Sequence, residues 1–274
     1  MKKIISYILS FILAILIIIT CIFTMVKSTI MNKQYVISKL EEAKYYERMD
    51  AEVIDQFKNY TIQSGLTDDV LEDLFTIEKL TNDINNVIDS IYEGKKIEID
   101  TSEIIENLKK NIEAEVEKEG KVVDFEEEAM QEYLKAIENA YESQISYSTN
   151  VVNEIGSTFS KILNLADKAQ IAIYIATTIV FLIIVIINIK QIIGLKYISI
   201  ATMASGLFIL VSKLIIESKT DLKNIMLINQ ATTKVIQLVL DDLLFKVIIA
   251  GGILLVFGVI LSLVYNVINK KYLT

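Results

Sequence analysis

Four long stretches that are almost free of charge dominate the sequence, at residues 4–26, 169–189, 197–216 and 247–267. The hydrocarbon core of a bilayer is about 30 Å thick, so a helix that crosses it needs about 20 apolar residues. Each stretch is long enough. The chain is 53% hydrophobic and 23% charged. It can be both because the two kinds of residue are segregated, with most charges between the first two stretches. The sequence therefore predicts an all-α integral membrane protein with four transmembrane helices.

The lone cysteine, Cys21, lies inside the first apolar stretch and leaves two interpretations open. Lys2 and Lys3 precede an apolar run, as in a secretory signal, and a processed lipoprotein would begin at its lipid-modified cysteine. The run continues past Cys21, however, and Thr20 stands where a lipoprotein signal has a small Gly, Ala or Ser. We expect residues 1–27 to be a retained signal-anchor helix in which Cys21 is an ordinary apolar side chain.

The distribution of lysine predicts the orientation of the helices. Segments 1–3, 190–196 and 270–274 together hold six lysines and no acidic residue. With four spans these segments fall on one side, and cytoplasmic segments carry an excess of positive charge. We expect a multi-pass protein of the cell membrane with both termini cytoplasmic and residues 28–168 extracytoplasmic. The abundance of Lys, Ile and Asn suggests a bacterium with an AT-rich genome.

Residues 28–168 are predicted to form an acidic extracytoplasmic domain of four helices. They contain 31 acidic and 15 basic residues, a net charge of −16, and the whole chain has no proline. Apolar residues recur every three or four positions, as on the buried face of a helix. Gly65, Gly94 and Gly120 mark helix ends, since glycine readily adopts the left-handed conformation found there.

The sequence also predicts where these helices begin. The first continues from the membrane to about Ile62, and the second follows Thr67 as its N-cap. Capping boxes open the third and fourth helices. The two boxes are Asp100 with Glu103 and Asp124 with Glu127. The fourth helix is expected to run unbroken over 124–188, with Ile155 and Ile162 on its apolar stripe.

Two long helices rooted in the membrane, with two shorter ones between them, make a four-helix bundle. In outline this arrangement resembles the ligand-sensing bundles of bacterial chemoreceptors and sensor kinases, which implies a binding role. The order of one span, a large outer domain and three further spans resembles permeases of the FtsX and MacB type. That resemblance implies a transport component working with a separate ATPase, although the outer domain of those permeases is mixed α/β.

The composition argues against several kinds of chemistry. Without histidine the chain lacks the commonest general base and transition-metal ligand, and one cysteine cannot form an intramolecular disulfide. No hydrolase or nucleotide-binding motif occurs. The acid runs at 113–119 and 126–128 are expected to be solvated helix faces, with calcium binding or acid–base catalysis as alternatives. We expect no enzyme activity, no cofactor and, with a net charge of −8, no nucleic acid.

Small residues in the apolar stretches are the candidate sites of helix packing, because they let helix backbones approach closely in lipid. The candidates are Ser6, Ser10, Ala14, Ala172, Ala176, Ala201, Ser205, Gly251, Gly258 and Ser262. Lys213 is the one charge inside a predicted span, near its outer end. It either extends its amine to the interface or serves as an intramembrane functional charge.

The membrane domain is predicted to cover residues 169–274. Residues 217–246 within it form an outer interfacial hairpin that we expect to pack on the base of the bundle. These features together predict a non-enzymatic membrane protein whose extracytoplasmic domain binds a partner or ligand, as a sensor, scaffold or accessory subunit. The expected partners are membrane lipid and either another protein or a second copy of the chain. A permease-like component of a transport complex is the alternative.

Overall fold

The computed structural model describes residues 2–118, 120, 122–146, 149–189, 192–219 and 229–273. Every regular element in these residues is helical, which confirms the all-α prediction for this part of the chain. In chain order the elements are α1 (Lys2–Ser28), α2 (Lys33–Glu42), α3 (Tyr45–Ser64), a 3-10 helix (Asp68–Leu71), α4 (Ile77–Glu93), α5 (Ser102–Lys118), α6 (Glu128–Ser146), α7 (Thr149–Asn188), α8 (Ile193–Lys219) and α9 (Gln230–Leu273).

The chain divides into two compact units. The first, which we name the apolar unit, comprises Met1–Lys39, Asn164–Ile228 and Thr233–Thr274. The second, the bundle unit, comprises Leu40–Leu163 with Asn229–Thr232. Helices α2, α7 and α9 each contribute residues to both units.

Four helices in the described chain are long and apolar enough to cross a membrane. They are Lys2–Ser28, Val152–Asn188, Ile193–Ser218 and Gln230–Lys270. Each contains one of the four apolar stretches of the sequence in whole or nearly so. The prediction of four such helices is confirmed, and the chain is compatible with a multi-pass membrane protein.

The apolar unit leaves many large side chains on its outside. Phe11 is 68% exposed and Phe208 58%. Its interior combines apolar side chains such as Leu13 and Ile184 with small polar residues such as Ser10 and Ser205, which are 2% and 0% exposed. Lipid tails are as apolar as leucine, so a unit that packs in lipid gains little by burying large apolar side chains. The exposure of large apolar side chains is the pattern expected of a unit that packs in lipid.

The prediction that the first helix continues to about Ile62 is wrong. Helix α1 ends at Ser28, and the hydroxyl of Thr29 donates to the carbonyl of Met25 at 2.6 Å. Side chains that bond to nearby backbone offer the chain an alternative to continued helix. The first membrane-compatible helix is therefore a separate element.

Two local features start the next two helices. Asn32 caps α2, since its side-chain oxygen accepts the N–H groups of Gln34 at 3.0 Å and Tyr35 at 3.2 Å. Lys44 then adopts a left-handed conformation, with φ 51°, immediately before α3. A helix cannot pass through a residue in that conformation, so the predicted first helix is three helices.

The predicted start of the second helix is also wrong. Thr67 precedes only the short 3-10 helix, and its N–H and hydroxyl both donate to the Glu115 carboxylate at 3.0 Å. The cap of α4 is Thr76, whose hydroxyl accepts the N–H of Lys79 at 3.1 Å. The helix therefore begins at Ile77, later than the pattern indicated.

The three predicted glycine ends are confirmed. Gly65, Gly94 and Gly120 follow α3, α4 and α5 with φ of 77°, 68° and 71°. These angles lie in the left-handed region, which glycine enters without the steric cost that a Cβ atom would impose.

Neither predicted capping box occupies the N-cap position. The Asp100 carboxylate accepts the N–H of Ser102 at 2.9 Å, but Thr101 is the residue whose carbonyl accepts the first helical bond of α5. Asp124 accepts the N–H of Glu126 at 2.9 Å, and α6 begins only at Glu128. Each aspartate therefore stabilises the turn before a helix rather than the helix end itself.

Two other predictions fall partly on residues outside the described chain. Of the single helix expected over 124–188, the structure shows α6 and α7, while residues 147–148 between them lie outside the described residues. Of the outer hairpin at 217–246, residues 220–228 lie outside them too. Ala231, at the start of α9, belongs to the bundle unit, and its N–H donates to the Glu52 carboxylate at 3.0 Å.

Aromatic rings and one polar network form the centre of the bundle unit. The ring of Phe75 contacts Phe57 at 6.2 Å and Tyr141 at 5.4 Å between centroids. The Tyr141 hydroxyl donates to Asp83 at 2.8 Å, and Lys79 pairs with the same carboxylate at 3.3 Å. Burial, and secondly the bond to Asp83, raise the pKa of Tyr141. This unit buries its large side chains, as a water-soluble bundle does.

Candidate functional site

An exposed apolar groove lies along α7 within the bundle unit. It has a volume of about 340 Å³ and we name it the α7 groove; its lining residues are Glu154, Ile155, Thr158, Phe159 and Ile162. Ile155 is 50% exposed and Ile162 45%. These two isoleucines of the predicted apolar stripe therefore form an outward-facing surface.

The α7 segment that carries this groove is held tightly against α4. Gly156 packs on the backbone of Ser90 so closely that a Cβ atom would overlap its carbonyl oxygen. Phe159 meets Tyr92 edge to face with ring centroids 5.3 Å apart, and burial raises the pKa of Tyr92 to about 12. Asn153 accepts the N–H of Ile97 at 2.8 Å. The groove is thus built on a fixed segment.

The described members of the dense acid runs do not converge on one point, and Glu119 lies outside the described residues. Glu115 binds the N–H and hydroxyl of Thr67 on a neighbouring segment, and Glu126 accepts from Gln131 at 3.3 Å. Among the described residues, no group of three or more Cys, Asp or Glu side chains comes together as metal ligands would. The runs contribute negative charge to the surface of the bundle unit. A partner that binds there would contact a strongly acidic surface.

The predicted packing residues on α1 contact two other helices of the apolar unit: Ser10 and Ala14 contact α8, and Ser6 bonds to Asn188 on α7. Ser6, Ser10 and Ala14 are all buried. The Ser10 hydroxyl donates to the carbonyl of Tyr197 at 2.7 Å, and the Ser205 hydroxyl donates to the carbonyl of Ala14 at 3.1 Å. Ala201, one turn before Ser205, is 1% exposed. Small residues here bring two helix backbones within reach of hydroxyl bonds.

The predicted packing residues on α9 include two glycines that touch α8. A Cβ atom on Gly251 would lie 2.8 Å from Leu210, and one on Gly258 would lie 2.8 Å from the backbone nitrogen of Met203. The Ser199 hydroxyl donates to the carbonyl of Gly258 at 2.8 Å. The three remaining candidates are less enclosed: Ala172 is exposed, and Ala176 and Ser262 are half-buried.

Lys213 forms an ion pair with Glu217 one turn later on α8. The amine lies 2.5 Å from the carboxylate, and the lysine side chain is only 17% exposed. Sequence reasoning placed no acid inside the spans, and Glu217 lies just beyond the predicted end of this one. The pair gives the amine a counter-charge one helical turn away.

Sequence reasoning missed several polar contacts and one glycine. Lys27 pairs with Asp167 at 2.5 Å, and its amine also donates to Gln170 at 2.5 Å. Asn188 donates to the Ser6 hydroxyl at 3.0 Å. A Cβ atom on Gly206 would lie 2.6 Å from the backbone of α9. The available signal for Gly206 was its position directly after the predicted packing residue Ser205.

The fold and these surfaces define an all-helical protein with four apolar helices compatible with a membrane. No protein-family model, no curated protein and no solved structure matches this chain.

Proposed function

We propose that this chain is a non-enzymatic bacterial membrane protein whose extracytoplasmic helical bundle binds a partner or ligand. The observation that carries the proposal is the α7 groove, where Ile155 and Ile162 are exposed on a folded unit. Contiguous exposed apolar surface on a folded protein marks sites of interaction. The extracytoplasmic placement rests on the lysine distribution, which favours cytoplasmic termini.

The part of α7 that carries the groove is not needed to cross a bilayer. The membrane-compatible stretch Val152–Asn188 has 37 residues, which at 1.5 Å per residue is about 55 Å. A span needs about 30 Å, and residues 169–189 are the most apolar. This excess length supports placing the groove in water, where a partner can reach it.

Charge indicates the chemistry of the partner. Residues 28–168 carry a net charge of −16, and Glu154 stands in the lining of the groove. A complementary surface would combine apolar side chains with surrounding Lys or Arg, because opposite potentials steer association and exclude wrong partners. We therefore favour a protein or peptide with a basic rim over an acidic or neutral ligand.

Crosslinking of the full-length protein in native membranes tests this function. The test variant is the double substitution Ile155→Asp, Ile162→Asp, which places charge in the groove. The matched control is Ile62→Asp, since Ile62 is 70% exposed on α3 of the same unit and outside the groove. We expect a specific crosslinked partner in the wild type and the control, and its loss in the double variant.

Two results would contradict the proposal. One is a wild-type protein that is found strictly alone, with no adduct on the bundle unit. The other is an adduct that survives the double substitution unchanged. Copurification of an ATPase through the membrane helices, insensitive to the groove variant, would instead favour the permease-like alternative.

A further inference from the structure

A pocket of about 250 Å³ lies in the apolar unit, where α1 begins, α7 ends and α8 begins. Lys2 and Lys3 line it together with Ile186, Asn188 and Tyr197. A water molecule in the liquid occupies about 30 Å³, so the pocket has room for the five heavy atoms of a phosphate group. The lining thus combines the two lysines with apolar side chains such as Ile186.

The charge of these two lysines is not neutralised within the described chain. Some other lysines of the apolar unit have acidic partners. Those pairs are Lys27–Asp167, Lys213–Glu217 and Lys246–Asp242, with distances of 2.5, 2.5 and 2.8 Å. Among the described residues, Lys2 and Lys3 have no such partner and no carboxylate lines the pocket. The pocket therefore presents a positive potential to an anion.

Hydrogen bonds fix the shape of the pocket wall. The Asn188 side chain donates to the Ser6 hydroxyl at 3.0 Å, and Ser10 donates to the carbonyl of Tyr197 at 2.7 Å. The rings of Tyr7 and Tyr197 meet edge to face at 5.0 Å. The wall is set before any ligand arrives, and only the long lysine side chains need to move, so little ordering opposes binding.

The surroundings indicate which source of phosphate fits. Ile186 and Ile189 beside the pocket are 65% and 69% exposed, a surface suited to acyl chains and not to a free ion. Basic pockets between membrane helices on the cytoplasmic side bind anionic lipid headgroups, and the lysine distribution predicts this side for Lys2 and Lys3. We infer that the pocket binds the phosphate headgroup of an anionic phospholipid.

Native mass spectrometry of the full-length protein tests the inference. The protein would be released from nanodiscs of phosphatidylglycerol and phosphatidylcholine, and retained lipids counted. Both leaflets have the same composition, so the direction of insertion does not affect the result. We expect retained phosphatidylglycerol, and an affinity about 30-fold lower for Lys2→Gln, Lys3→Gln. Lys2→Arg, Lys3→Arg should retain the lipid, since both positive charges remain.

The matched control removes the same amount of charge near the same predicted membrane face. Lys196→Gln, Lys270→Gln neutralises two lysines that do not line the pocket and should keep the lipid. Equal loss in both double variants would show general surface attraction and overturn the pocket. Inorganic phosphate, added to protein in pure phosphatidylcholine, should give no retained anion. Retention of phosphate that depends on Lys2 and Lys3 would overturn the lipid as the source.

Discussion

Phe57 in the bundle unit is 0% exposed, whereas Phe208 in the apolar unit is 58% exposed. The same side chain is thus a core residue in one unit and a surface residue in the other. In water, burial of a phenyl ring removes apolar area from the solvent and stabilises the fold. In lipid the surroundings are already apolar, so exposure costs almost nothing. The contrast is compatible with lipid around the apolar helices.

The contacts that hold each unit together differ in the same way. The bundle unit relies on large side chains such as Leu80, Ile104 and Tyr141, all fully buried. The apolar unit has a smaller apolar cluster that includes Leu13 and Ile184. It adds close approach of backbones at Gly206 and hydroxyl bonds such as that of Ser205. The following substitutions separate these two sources of stability.

The largest effect is expected for Phe57→Ala. Truncation of a fully buried phenylalanine in a water-soluble core costs about 4 kcal/mol, through lost burial and the cavity left behind. Phe208→Ala is the counterpart in the apolar unit and should change stability by less than about 0.5 kcal/mol. Hydrogen exchange of the full-length protein in nanodiscs reports the two units separately. Equal destabilisation by both substitutions would show that large apolar side chains contribute equally to the stability of the two units.

The next largest effect is expected for Gly206→Val. The new Cβ atom would lie 2.6 Å from the backbone nitrogen of Leu255 and 2.7 Å from the carbonyl oxygen of Gly251. Backbone cannot move as a flexible side chain can, so we expect a loss of about 3 kcal/mol from overpacking.

Gly252→Val provides the control for this glycine. Gly252 lies on α9, and a Cβ atom there would have no neighbouring atom within 4 Å, so the same added volume meets open space. Unfolding by sodium dodecyl sulfate in mixed micelles, followed by circular dichroism, compares the two. A Gly206→Val protein as stable as Gly252→Val would show that close backbone approach does not hold α8 and α9 together.

A third effect, of about 2 kcal/mol, is expected for Tyr141→Phe, because a hydrogen bond to a charged group is lost. Lys79 continues to pair with Asp83 at 3.3 Å, so the carboxylate keeps one partner. Circular dichroism and hydrogen exchange of the bundle unit at neutral pH measure the change. An unaltered stability would mean that the hydroxyl contributes nothing to this core.

The raised pKa of Tyr141 predicts how the stability of the bundle unit changes at high pH. The pKa of Tyr141 is raised in the folded state, so the folded chain keeps a proton that the unfolded chain releases near pH 10. The stabilisation is complete below pH 10 and is lost as the pH rises above it. Tyr141→Phe should therefore make the decline in the free energy of unfolding between pH 10 and 12 less steep. The remaining decline comes from other tyrosines of this unit whose pKa is raised, which are Tyr45, Tyr46, Tyr133 and, with a pKa of about 12, Tyr92.

The sequence was sufficient for features that depend on composition or on one residue. Apolar length predicted four membrane-compatible helices, and Gly65 and Gly94 marked helix ends because few other residues adopt a positive φ easily. The breaks at Asn32 and Lys44 were missed. One depends on a single side-chain bond and the other on a lysine with φ 51°, and neither alters the apolar periodicity.

Sites that depend on tertiary neighbours could not be predicted in the same way. Ile155 and Ile162 follow the helical period, but periodicity cannot tell whether another helix covers that face. Gly206 matters because α9 crosses it, which no local pattern encodes. Lys2 and Lys3 were identified as charges that orient the chain, whereas the pocket beside them exists only because α7 ends near the start of α8.

The smallest effect is expected for Ser205→Ala, which tests whether hydroxyl bonds hold the apolar unit together. The Ser205 hydroxyl donates across to the carbonyl of Ala14 at 3.1 Å and within its own helix to Ala201 at 2.7 Å. Bonds of this kind between membrane helices contribute about 0.6 kcal/mol on average. Ser218→Ala is the control, because among the described residues that hydroxyl bonds only within α8, to Ile215 at 2.9 Å. Detergent unfolding should distinguish the two variants. A loss above about 2 kcal/mol for Ser205→Ala would mean that polar bonds, rather than close backbone contact, dominate this unit.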